Sequence, residues 1–584
     1  MLETPALIRS SRSTDTGNVD SAIRIGTAML GLMQDAPINL VSILQHAGRW
    51  HGGQEVVTQR VEGGIHRQTY AETLARTTSL AARLRDWGLR PGDRIGTMGW
   101  NTHRHLECWY AVSGQGAVCH TINPRLFVEQ LNYIINHAAD RMIFADLSFV
   151  AALTERLDQL PTVEAIVVMT DRAHMPVCDT GAVELLCYED WAADTEASVE
   201  WPVLDDNTAS SLCYTSGTTG DPKGVLYSHR ANLLHAYASC LPDVFDLSAT
   251  DTVLMVVPMF HANSWGLAYA APMVGAKLVL PGADLSGAAL HRLIAREAIT
   301  KAAGVPTVWN TLLTYLDETG LGLDSLREVV VGGAALPTSM IAAFHRYGVE
   351  TVHAWGMTEM TPIGVFNRPK PGFDALGEDA QLGQRLKQGR VPFGVDMRIV
   401  DDHGNDVPRD GEAFGRLLVK GPWTIDRYYG DEVSALTDDW FDTGDIATID
   451  AAGYMQITDR AKDVVKSGGE WISSVAVENA AIGVRGVALA ACIGASHPKW
   501  GERPLLLVQC RDGQAVAEDD VRKALSKSLA SWQLPDAVVF VDEIPLTATG
   551  KIDKKPLRKR YRSYLTKGSQ PRPVSPFPET SRSD

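Results

Sequence analysis

The sequence lacks any C-x-x-C pair and any zinc-like spacing among its eight cysteines, Cys108, Cys119, Cys178, Cys187, Cys213, Cys240, Cys492 and Cys510. That excludes a cysteine-rich metal module and predicts small buried thiols in a reducing compartment. No stretch reaches the ~18 consecutive apolar residues of a membrane-spanning helix. The opening MLETPALIRSSRSTDTGNVD carries acids and no apolar core, so no signal peptide is expected. Positive charge is in deficit: 54 basic against 70 acidic side chains leave a net charge of −16, the wrong sign for a surface that neutralises nucleic-acid phosphates. The expectation is a cytoplasmic protein without an integral membrane segment and without a nucleic-acid partner.

What is present is length, apolar material and a change of texture along the chain. At 584 residues, 45% of them apolar, several folded units are expected. Between about 40 and 400, apolar runs such as RMIFADL (141–147), EAIVVM (164–169), DTVLMVVPMF (251–260), AKLVLP (276–281) and EVVVGG (328–333) alternate with helix-patterned stretches, which predicts parallel sheets covered by helices. From about 415 to 458, short strands joined by Gly/Asp turns predict a small antiparallel or barrel-like subregion. After Arg460 a compact α+β texture begins, and the junction DRAKDVVKSGGEW (459–471) is too charged for a passive tether. The expected organisation is a disordered tail over 1–20, an N-terminal unit over 21–459, a C-terminal domain over 460–567 and a second tail over 568–584. The fold class is α/β: a large N-terminal unit of two α/β subdomains plus a small β-barrel, then a mobile α+β C-terminal domain.

The segment SLCYTSGTTGDPKGV (211–225) crowds glycine, hydroxyls and one lysine together, yet it misses the nucleotide-loop spacing G-x-x-x-x-G-K-[ST]. Gly217, Gly220 and Gly224 allow a backbone that aims N–H groups at phosphate oxygens. Thr215, Ser216, Thr218 and Thr219 add hydroxyls, and Lys223 adds a point charge. The stretch YTSGTTGDPKG resembles the phosphate-binding signature of the adenylate-forming enzymes, the superfamily of acyl- and aryl-CoA synthetases, luciferases and peptide-synthetase adenylation domains. Further motifs of that superfamily follow in order over about 40 to 560.

HAWGMTEMTP (353–362) resembles the aromatic-Gly-x-Thr-Glu motif. A carboxylate near a triphosphate needs an intervening cation, so Glu359 is expected to hold magnesium with Thr215 or Thr358 supplying hydroxyls. Trp355 stands where that superfamily usually has tyrosine and offers a flat face to adenine. WFDTGD (440–445) resembles the ribose motif, with Asp445 as the carboxylate, and Arg460 follows fifteen residues later as a second nucleotide contact. Lys551 in PLTATGKIDK resembles the catalytic lysine that bridges carboxylate and α-phosphate. The resemblance extends nucleotide or coenzyme contacts to Gly333, Ala334, His353, Ala354, Gly356 and Met357. At the junction, Lys462 takes the position of the hinge, and Lys466, Gly468, Gly469 and Trp471 take those of the adenylate and pantetheine contacts.

VVPMFHANSWG (256–266) matches the H-x-N-x-W pattern of bacterial fatty-acyl-CoA synthetases at His261, Asn263 and Trp265. A lone His or Trp at a strand end is more often core; the resemblance makes His261 a contact near the acyl carboxylate and Trp265 a gate. Val305, Pro306, Trp309, Gly333 and Ala334 complete the apolar acyl wall. The implied catalytic residues are Lys551, Glu359, His261 and Thr215, and the implied cofactors are ATP, magnesium and coenzyme A. The implied reaction is activation of a carboxylic acid, a medium-chain fatty acid first, to acyl-CoA through an acyl adenylate, with release of AMP and pyrophosphate. A short thioether, branched or aryl acid stays open, as do loading of a carrier protein, a non-catalytic binding relative and a homodimer.

Overall fold

The computed structural model describes residues 33–34, 36–193, 197–215, 221–468, 470–511, 513–546 and 552–566. The two expected tails, Ser216, Gly217, Thr218, Thr219, Gly220, Gly469 and Lys551, and the side chain of Trp471, lie outside the described residues. From Ile38 onward the described chain forms one unit.

Two α/β layers make up most of it. In the first sheet the strands run in the order Glu184–Cys187, Ala165–Val168, Met142–Ala145, Arg94–Met98, Val118–Thr121, Ala209–Tyr214 and Gly224–Ser228, all parallel except the last. The second sheet has Ile363–Phe366 and Ile65–Thr69 as antiparallel edges. Its interior strands Glu350–Gly356, Glu328–Val331, Lys301–Gly304, Thr252–Met255, Lys277–Leu280 and Glu55–Gln59 are parallel. The apolar runs singled out in the sequence are interior strands of these two sheets, buried on both faces as crossover helices require.

The barrel-like subregion is a five-stranded antiparallel sheet of Asp396–Val400, Phe414–Lys420, Leu436–Thr437, Trp440–Ile449 and Met455–Arg460. A third texture begins with the hairpin Val465–Ser467 and Glu470–Ile472 and continues through the long pair Val487–His497 and Gly501–Cys510. Ala537–Phe540 adds to it in parallel. Its own core, including Val477, Cys492, Leu506, Val508 and Leu525, lies between this sheet and its helices. No described helix is long and apolar enough to cross a membrane.

Candidate active site

A cleft of about 710 Å³ opens where the two large sheets, the five-stranded sheet and the C-terminal region meet. Thr215, Lys223, His261, Trp265, Gly333, Trp355, Thr358, Glu359, Arg460 and Lys462 all line it, as do Ala354, Gly356 and Met357. Thr215 and Lys223 face each other across the neck of a hairpin. The Thr215 N–H donates to the Lys223 carbonyl at 2.9 Å, and the Lys223 N–H donates to Thr215 Oγ1 at 3.2 Å. The Lys223 ammonium lies 4.5 Å from the centre of the Tyr428 ring, a cation–π contact. Tyr428 in turn donates its hydroxyl to Glu359 Oε1 at 2.9 Å. Burial pushes the Glu359 carboxyl above its ordinary range, against the pull of the Tyr428 hydrogen bond and of the Arg460 charge. The backbone around it is tied down by Tyr227, whose hydroxyl donates to the Thr358 carbonyl at 2.6 Å, and by Ile425, whose N–H donates to the Glu359 carbonyl at 2.8 Å.

On the nucleotide side, Trp355 ends the strand Glu350–Gly356 at a bulge against Ile363–Phe366. A Cβ at Gly364 would fall 2.5 Å from Trp355 ring atoms, so glycine is what lets the neighbouring strand lie on the indole. Trp355 Nε1 donates to Asp445 Oδ2 at 3.0 Å, and Arg460 Nε lies 2.6 Å from Asp445 Oδ1. Asp445 and Arg460 are direct cross-strand partners on Trp440–Ile449 and Met455–Arg460, which explains their fifteen-residue spacing. His353 sits elsewhere: it is buried, hydrogen-bonded through Nδ1 to the Leu386 carbonyl at 2.9 Å, and held neutral by a pKa lowered to about 4 by burial.

On the acyl side the chain does something the sequence does not announce. After His261, the residues Ala262, Asn263, Ser264 and Trp265 have φ of 42°, 51°, 51° and 54°, followed by Gly266 at 78°. This is one buried left-handed turn, in a conformation that costs non-glycine residues roughly 1–2 kcal/mol each. Trp265 projects from it against the Gly332–Gly333 backbone, where a Cβ on Gly332 would fall 2.9 Å from Trp265 Cη2. Val305 stands 3.2 Å from where a Gly333 Cβ would be but does not itself line the cleft. Trp309 is not part of the cleft lining; it is fully buried in a separate core, edge-on to Phe344 at 6.0 Å between ring centres. Pro306 and Ala334 likewise do not line the cleft.

Residues 44–429 match the AMP-binding enzyme family and residues 476–551 match the AMP-binding enzyme C-terminal domain. The chain belongs to the AMP-binding enzyme family. Among its relatives is a 3-methylmercaptopropionyl-CoA ligase of Ruegeria lacuscaerulensis, 49% identical over 540 residues, 92% of this chain and 100% of the relative. A medium-chain-fatty-acid–CoA ligase of Ectopseudomonas oleovorans is 48% identical over 548 residues, 93% and 99% of the two chains. The crystal structure of the anthranilate CoA ligase AuaEII in complex with anthranoyl-AMP is similar with a TM-score of 0.78 at 26% identity, over 91% of this chain and 98% of that one.

In this AMP-binding enzyme the junction is structured. Lys462 and Ile552 both line the cleft, so the C-terminal region reaches the nucleotide side. Burial lowers the Lys462 ammonium pKa. Lys466 and Gly468 lie on the hairpin beyond and do not line the cleft; a Cβ on Gly468 would fall 2.6 Å from the Trp500 ring. Sequence reasoning missed a buried cluster at this joint. Ser474 donates through its hydroxyl to Asp459 Oδ1 at 3.0 Å, and Lys554 Nζ donates to Ser474 Oγ at 2.6 Å and to Glu478 Oε1 at 2.7 Å. Arg558 donates to the Lys462 carbonyl at 3.1 Å. Tyr428 and Gly364 were missed as well. RYYG offers no motif, and the need for glycine at 364 shows only once the strand is laid against Trp355.

Proposed function

We propose that this AMP-binding enzyme, an acyl-CoA synthetase, activates an aliphatic acid of short to medium chain. In the first step the acid's carboxylate attacks the α-phosphate of ATP; the α–β phosphoanhydride bond breaks, pyrophosphate leaves and an acyl adenylate forms. In the second the thiol of coenzyme A, losing its proton, attacks the acyl carbonyl, and AMP leaves. No nucleophilic side chain is needed, so the protein's work is positioning and charge stabilisation.

The observation that carries this reading is the single cleft that joins Lys223, Thr215 and Glu359 to Trp355, Arg460 and Trp265. The loop flanked by Thr215 and Lys223 receives the departing pyrophosphate portion. Trp355 flanks adenine, and Asp445, oriented by Trp355 and Arg460, accepts the ribose hydroxyls. Glu359 and Thr215 would hold a magnesium ion beside the phosphates, since both are oxygen donors, suited to a hard cation, on the lining of the cleft. Such an ion supplies neutralisation of phosphate charge. Lys551 meets the α-phosphate, and His261 lies toward the acid's carboxylate. Lys466, Gly468, Gly469 and Trp471 serve the second step. We place the boundary between the two domains at 459/460 and the reaction in the cytoplasm, where the eight free cysteines stay reduced.

A medium-chain acid is supported by the apolar wall and by the similarity to a medium-chain ligase. A short thioether acid is the second reading, favoured by Trp265 lying on Gly332 and Gly333, which shortens the wall, and by the 49% identical 3-methylmercaptopropionyl-CoA ligase. Purified protein with ATP, magnesium, coenzyme A and a ladder of acids that includes 3-methylmercaptopropionate tests both. Thioester formation on a carrier protein but not on coenzyme A, or no turnover at all, would reject the proposal.

A further inference from the structure

A left-handed turn made of four non-glycine residues does not persist on its own sequence preference, since only glycine and, less often, asparagine or aspartate visit that region readily. The surroundings must hold it. The holder is one face of the helix His229–Cys240, on which Asn232, His235 and Ser239 follow each other at helical spacing. Asn263 Nδ2 donates to Asn232 Oδ1 at 3.0 Å, and Asn232 Nδ2 donates to Ser210 Oγ at 3.0 Å and Ser211 Oγ at 3.1 Å. All four residues are buried, so breaking this network leaves polar groups away from water, which fixes its geometry. At the end of the turn, a Cβ on Gly266 would lie 2.4 Å from His235 Cε1, so helix and turn meet without a gap. From the far side, Ser264 Oγ donates to the Val257 carbonyl at 2.7 Å.

We propose that Asn263, gripped by Asn232, is the positioning residue that holds the left-handed turn and so fixes Trp265 as the wall that sets the length of acid accepted. The proposal rests on the reading of Trp265 as acyl wall. Asn263 does not touch the acid; it acts through Trp265.

The test uses the full-length protein and a ladder of straight-chain acids from butyrate to dodecanoate, with kcat/KM measured for each and KM measured for ATP. Asn263→Ala is expected to shift the ratio of octanoate to butyrate toward the longer acid by about tenfold, with KM for ATP unchanged. Trp265→Ala is expected to shift it the same way, and adding Asn263→Ala to Trp265→Ala to shift it no further. An unchanged ladder in a cooperatively melting Asn263→Ala, beside a shifted Trp265→Ala, overturns this inference and leaves the acyl-wall reading standing. A full additional shift in the Trp265→Ala background overturns it too, because Asn263 would then act on the acid directly. An unchanged ladder in Trp265→Ala removes both. If Asn263→Ala does not fold, Asn263→Gly, which accepts positive φ but lacks the amide, is expected to show a smaller shift in the same direction. An unchanged ladder in that variant overturns the proposal.

Discussion

At the scale of single residues, the site depends on what each polar group is tied to. Glu359 is pushed above the usual carboxylate range by burial and pulled back by Tyr428. A carboxylate that must be ionised to help hold a cation loses that function as pH falls through its pKa, so the acid limb of the first half-reaction should lie above the range of a free glutamate. Tyr428→Phe removes a stabiliser of the ionised form and should move that limb to higher pH. Pyrophosphate release in single turnovers across pH checks this, and a limb that stays put detaches Tyr428 from the chemistry. Lys551→Ala should abolish acyl-adenylate formation yet largely spare thioester formation from supplied adenylate, because only the first step needs a cation at the α-phosphate. Parallel assays of the two half-reactions decide it, equal losses counting against the assignment. Trp355, Glu359 and Asp445 stand in contiguous motifs that single them out in the sequence, and the structure brings Trp355 and Glu359 to one cleft with Asp445 bonded to Trp355. The bond from Trp355 to Asp445 was not legible there: it joins residues ninety positions apart, and nothing in either motif says that an indole N–H will reach the carboxylate.

At the scale of elements, the interior strands were readable because burial on both faces makes them short continuous apolar runs, whereas the helix His229–Cys240 buries His229, Asn232, His235 and Ser239 and carries no such pattern. The turn at 262–266 was not readable either. Ala, Ser and Trp carry no preference for a left-handed backbone, and Asn263 alone hints at it. What bends the chain there is contact with a helix some thirty residues earlier, which is tertiary and invisible to local pattern. The joint was half legible: charge and glycine marked it, while the Asp459–Ser474–Lys554–Glu478 cluster brings together four separated positions. Proline at Lys462 locks φ near −65° and restricts Ala461. Lys462→Pro should therefore still make and keep acyl adenylate, while its conversion of supplied adenylate to acyl-CoA falls by about tenfold or more if that step needs a second arrangement of the domain. Lys462→Ala should change both steps little. Comparable losses in both steps, in a protein that melts cooperatively, would place the pivot elsewhere.

At the scale of the molecule, His105, His229, His235 and His353 are buried and held neutral, with pKa values lowered by burial to about 4, 4, 3 and 4. Their unfolded counterparts titrate near 6.5. Because the folded values are depressed, the unfolded chain takes up more protons below that point, and the stability these groups contribute is present above pH 6.5 and lost as pH falls toward 4. Buried Asp146 and Glu478, whose carboxyls burial raises to about 7 and about 6, act in the opposite sense over the same range. The four rings are expected to outweigh them, so urea midpoints should drop across that window at constant ionic strength, and a flat profile would show that the carboxyls cancel the rings. The left-handed turn has a different consequence, for anyone recombining such enzymes. The stretch 256–266 looks like a portable cassette of acyl preference, short and contiguous. Its shape, however, is stored in its receptor, the polar face of the helix His229–Cys240 and the serines behind it. A graft of the stretch alone would arrive without its mould. A graft that carries 209–266 as a single block takes the mould along, and specificity should travel only with it.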